Sequence, residues 1–82
     1  MEVRVANTWW SRFRGLIGDR DPRPLLIPRC ASVHTFFMHA RIEIRFLDAE
    51  ERVLRVVERA KPWRFYFGPR GTVSVLEVPL VR

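Results

Sequence analysis

Few groups in this 82-residue chain could do chemistry. It carries two histidines and one cysteine, and both histidines fall in VHTFFMHARIEIRF, residues 33–46. His34 and His39 are five positions apart, and in an extended chain an odd separation sends the two rings to opposite faces. They are therefore ill-placed to share a metal ion, and with Cys30 the single thiol no zinc set can be assembled. No internal disulfide can form, and Cys30 reads as a small buried hydrophobe. A Cys30–His34 nucleophile pair would need a third group to orient the imidazole, and none stands at a recognisable spacing. The four glycines, Gly15, Gly18, Gly68 and Gly71, fit neither common phosphate-cradling pattern. No metal and no cofactor are expected.

Glu77 is more suggestive. In TVSVLEV it shares a strand face with Val73 and Val75, so it lies either at a sheet margin or buried with a partner. His34 heads a second row, continued by Phe36 and Met38, that would run into the core. A polar group at the mouth of an apolar row suits the rim of a pocket, which makes His34, Met38 and Glu77 the candidate ligand-binding residues. Thr35 points the opposite way, where its hydroxyl can serve backbone groups, and is assigned a structural role. Brought together, His34 and Glu77 would form the kind of pair found at functional sites and in plain ion pairs alike.

The frame that must hold these residues reads mostly as strand. EVRVA alternates briefly and predicts a short first strand. Asn7 and Thr8 offer a helix cap before WWSRFRGLIG, where Trp9, Trp10, Phe13, Leu16 and Ile17 make one apolar helical stripe and Gly18 suits the helix end. Pro22 and Pro24 break the chain, and LLIP is a short strand ended by Pro28. Next, Ile42, Ile44 and Phe46 share one strand face, with Arg41, Glu43 and Arg45 on the other. DAEER makes a polar turn and VLRVVER returns, predicting a β-hairpin in which a solvated Glu43 pairs across to Arg55 or Arg59. AKPWRFYFGPRG is a loop or irregular strand, and TVSVLEV is the final strand, stopped by Pro79. The expected fold is α+β and mostly β: a small curled antiparallel sheet or partial barrel with one packed helix, a single domain over residues 1–82.

Composition narrows the partners. The formal net charge is +6, supplied by fourteen arginines against Lys61 alone. Such a balance steers a protein toward polyanions. Asn7 is the only asparagine and glutamine is absent, a thermophile-like composition in which arginine enrichment needs no nucleic acid to explain it. The cations are also scattered, with no block of five like charges. No apolar run approaches the ~20 residues of a membrane helix. MEVRVANTWW lacks the apolar stretch of a secretory signal, so a cytoplasmic location is expected.

GLIG after the helical stripe, then SVHTFFM, IEIRFLD, VLRVVERAKPW and VLEV in that order, resemble the prokaryotic family called domain of unknown function 192. The likeness runs from about Thr8 to Val78, and its most specific part is the His-Thr-Phe-Phe-Met stretch followed by an isoleucine–acid–aliphatic strand. The resemblance implies a compact β-rich fold with a helix and brings no activity, substrate or cofactor. It singles out His34, Thr35 and Met38 in the central motif, Gly15 and Leu16 in the GL motif, and Glu77 in the last strand. The sequence departs from the family's pattern where Glu43 replaces an Asp, Arg41 a Pro, and Glu51 a hairpin Gly. Members usually continue past the final strand, so an open sheet edge here would be free to form a homodimer with a second copy.

Three functional readings follow. The leading one is a non-enzymatic binding module in which His34, Met38 and Glu77 line a shallow pocket for a small polar ligand or a peptide end. The second is a weak single-stranded nucleic-acid binder using scattered arginines and the aromatics Trp63, Phe65, Tyr66 and Phe67. The third is an enzyme with His34 as base and Glu77 as its orienting partner.

Overall fold

The computed structural model describes residues 3–6, 23–35 and 41–80. Alternating β-branched and aromatic residues produce seven strands among them: β1 (Arg4–Val5), β2 (Leu25–Pro28), β3 (Ser32–His34), β4 (Ile42–Leu47), β5 (Val53–Ala60), β6 (Phe65–Phe67) and β7 (Ser74–Pro79). Five form one sheet in the order β1-β2-β7-β4-β5, and β3 pairs with β6 in a separate two-stranded sheet.

The hairpin follows its alternation. β4 and β5 pair antiparallel across the Asp48–Arg52 turn, with two register shifts along the ladder. Ile42, Ile44 and Phe46 are buried while Arg41 is exposed and Glu43 and Arg45 are half-exposed, as period two demands. Glu43 takes its partner from its own strand: the Arg45 guanidinium donates to its carboxylate. Arg55 stands opposite Phe46, on the other face from Glu43, and instead reaches the Phe67 carbonyl at 3.3 Å. The expected cross-hairpin pair is therefore replaced.

One face of the large sheet makes the core. Leu25 and Ile27 of β2, Val75 of β7, Ile42, Ile44 and Phe46 of β4 and Ala60 of β5 are buried together with Ala6. The small sheet lies against them through Val33, with Tyr66, its cross-strand neighbour, partly buried on the same cluster.

The expected α+β fold is corrected. The described residues are all β with no helix, and the helical stripe Trp9–Ile17 lies outside them. The large sheet is not wholly antiparallel, because β1 runs parallel to β2. Nor does it close into a barrel: β1 and β5 end the strand order on opposite sides. The chain leaves the sheet after Pro28, where Arg29 turns into the left-handed region at φ 54°, and then pairs with β6. The left-handed turn bends the chain away from the large sheet, although Cys30 still donates its amide to the Val73 carbonyl, and the second sheet begins at Ser32.

β5 carries Val53, Leu54 and Val56 exposed, interleaved with exposed Arg55, Glu58 and Arg59. Charges along an edge strand oppose unwanted strand addition. Among the described residues no helix is long and apolar enough to cross a membrane.

Candidate functional site

Glu77 sits where a carboxylate is costly. β7 lies between β2 and β4, and the register sets Glu77 opposite Leu25 on one side and Ile44 on the other. Its residue is 2% exposed, in line with buried Val75. A carboxylate at such depth must be held by other groups, and Glu77 is not left without a partner.

His34 stands in β3, on the small sheet. Along β3, Val33 is buried in the core, His34 is half-buried and Thr35 is only 1% exposed. Val33 and Thr35 thus share the inward face and His34 takes the other, half-buried as a residue at a rim would be; the rest of its expected row lies outside the described residues. Met38, Gly15 and Leu16 lie outside the described residues, as do Phe36 and His39. Of the three candidate ligand-binding residues, the described residues thus place His34 on the small sheet and Glu77 in the large one.

Thr35 clamps the segment that follows β5. Its hydroxyl donates to the Lys61 carbonyl at 2.6 Å and accepts the Arg64 amide at 2.9 Å. Its backbone amide donates to the Arg64 carbonyl, and its carbonyl accepts from the Trp63 amide. The Tyr66 hydroxyl adds a further tie by accepting the Lys61 amide at 2.7 Å. Held this way, Trp63 adopts a left-handed backbone at φ 62° while its residue stays 58% exposed. A bulky residue in that region is strained, and such strain persists only where surrounding bonds enforce it.

What the small sheet offers outward is aromatic. Phe65 and Phe67 share a face by alternation, stack at 6.2 Å between ring centroids, and are 60% and 63% exposed. His34, paired with Phe65 across the strands, meets it edge to face at 6.5 Å. The Arg55 guanidinium caps the end of the sheet on the Phe67 carbonyl. Two flat apolar rings, an imidazole and an adjacent exposed indole can receive a planar group by stacking. Sequence reading included these aromatics in a stacking surface and put Tyr66 among them; Tyr66 instead turns inward. The FYF alternation was the available signal. Among the described residues no cluster of three or more His, Cys, Asp or Glu could hold a metal ion.

Comparison with known proteins agrees with this frame. The family described as "Uncharacterized ACR", domain of unknown function 192, matches residues 1–80. A UPF0127 protein of Thermococcus sibiricus is 35% identical over 95% of the chain, and one of Pyrococcus furiosus is 37% identical over the same share. The chain spans 54% of the length of the first relative and 80% of the second. A crystal structure of a protein of unknown function from Novosphingobium aromaticivorans superposes with a TM-score of 0.80 over 94% of this chain and 61% of its own. At 19% identity it shares the fold.

Proposed function

Because the chain belongs to the domain of unknown function 192 family, whose name carries no activity, we propose a function from its own geometry: a non-enzymatic binding module that docks its ligand on the outer face of the small sheet. The observation that carries this reading is the stacked, exposed Phe65–Phe67 pair with His34 edge-on. Leaving such rings in water forgoes the stabilisation that burial would bring, ~1.5–3 kcal/mol for a large apolar side chain. A ligand with a flat unsaturated face recovers it.

His34 belongs to this surface as a polar handle at its margin. Thr35 is the positioning residue behind it, because its bonds set the course of the chain from Lys61 into β6. Glu77 lies with the core and serves the fold rather than the ligand.

Chemical-shift mapping of isotope-labelled protein against a mixed metabolite and oligonucleotide panel tests the proposal. Shifts are expected to cluster on Ser32–His34 and Trp63–Phe67. Perturbations gathered around Glu77, with Phe65 and Phe67 unmoved, would show that the docking face is wrongly placed.

A further inference from the structure

We propose that the aromatic face takes single-stranded nucleic acid, an inference that rests on the binding-module reading and names its ligand. It comes from where the charge goes when the chain folds. Residues 22–42 hold Arg23, Arg29 and Arg41 and no carboxylate. Residues 59–76 hold Arg59, Lys61, Arg64 and Arg70, again with no carboxylate. The rest of the chain has eight cations against nine carboxylates, so these two segments supply more than the whole net charge of +6. Nothing in the linear order joins them. β3 comes from the first segment and β6 from the second, so the small sheet is one place where they meet, with Arg29 just before β3 and Lys61, Arg64 and Arg70 around β6.

Stacking and charge then coincide. Arg64 lies between Trp63 and Phe65 in the chain and is exposed, as are Lys61 before them and Arg70 in the turn after β6. Arg55 reaches in from β5 to the Phe67 carbonyl. Exposed rings for bases with cations for the backbone are what an unpaired strand requires, and every base has a face to stack. A duplex hides those faces between its own base pairs, and an acidic peptide has carboxylates but no comparable succession of rings. Stacking on rings does not depend on which base is stacked, so binding is expected to be sequence-tolerant.

The test is a fluorescence-anisotropy titration of the whole chain with labelled single-stranded oligothymidylate at low and moderate salt. A duplex of the same length, heparin and phosphatidylglycerol vesicles serve as comparators. The single strand is expected to bind best, with affinity falling linearly in log salt at about 0.7 per phosphate contact. Phe65→Ala and Phe67→Ala should each weaken it by between about five- and a hundredfold. Phe65→Leu, which keeps the strand apolar and the fold intact, should lose as much because the ring is gone. Arg64→Ala should lower the salt slope.

Heparin binding as tight as oligothymidylate, with the phenylalanine variants unchanged, would reduce the effect to plain polyanion attraction and overturn the proposal. Vesicle binding without oligothymidylate binding would overturn it in favour of a membrane surface. Shifts on the aromatic face from another panel member, with none from oligothymidylate, would overturn the nucleic-acid ligand and leave the docking face standing. An aromatic face unmoved by every probe would overturn both.

Discussion

The Thr35 hydroxyl sets the course of the chain behind the exposed aromatic face of the small sheet. It satisfies the Lys61 carbonyl and the Arg64 amide, and the backbone bonds of the same residue hold Trp63 in its left-handed turn. Thr35→Val keeps the shape and removes the hydroxyl, leaving those groups without their partner. It should cost about 1–3 kcal/mol in chemical denaturation. Thr35→Ser should restore most of that loss, and Trp63 emission should report a loosened loop in the Val variant alone. The structural role was legible in the sequence, since a threonine in an apolar stretch must spend its hydroxyl on something. Its direction was not. One residue of register exchanges every face of a strand, and three residues of strand are too few for a sequence pattern to fix it.

At the scale of elements, the hairpin turn shows which local signals survive folding. Asp48 accepts the amides of Glu50 and Arg52 and the Arg52 guanidinium, at 2.8–2.9 Å. The Arg52 amide, more than any other group, holds the Asp48 carboxyl below the ordinary aspartate value. A pKa lowered on folding contributes stability that is present above the unfolded value and is lost as pH falls through the folded one. The side chain lies in a surface turn beside exposed Arg52 and Glu50, so the effect is small and confined to acid. Its NMR titration midpoint should lie below that of an unfolded peptide, and the Arg52 amide resonance should follow it. Asp48→Asn should abolish that dependence.

Glu51, next in the same turn, sits at φ 63°. A side chain there costs ~1–2 kcal/mol, part of which glycine gives back through its freer unfolded chain. Glu51→Gly should therefore raise the melting temperature by a few degrees, and the family's usual glycine at this place acquires a physical reason. The hairpin was legible because its alternation is strict and its pairing local. The small sheet was not: β3 and β6 have three residues each, and their partner strands lie far apart in the chain.

The whole molecule couples the two sheets through few contacts, so a small change at the junction should be felt in both. Gly68 ends β6 and donates its amide to the Ala31 carbonyl. A methyl group there would meet the Phe46 ring at 2.7 Å and Thr72 closer still. Phe46 is fully buried in the core and Thr72 is tied to the Pro69 carbonyl, so neither yields freely. Gly68→Ala should destabilise the protein by about 1–3 kcal/mol. In a domain of this size each kcal/mol corresponds to roughly 4–8 °C of melting temperature. A variant that melts like the parent would show that the small sheet is free to shift against the large one.

By itself the sequence determined the hairpin, the short strands, their breaks at Pro28 and the Asp48 turn, and the inward set Ile42, Ile44 and Phe46. These follow from alternation, proline and turn chemistry, which act within a few residues. Only the tertiary structure decided that the strands divide into two sheets, that Glu77 lies buried between Leu25 and Ile44, and that two segments free of carboxylates meet under one aromatic face. Pairing partners distant in sequence are chosen by the packing of the whole core, and no local pattern in either strand encodes which strand will lie beside it.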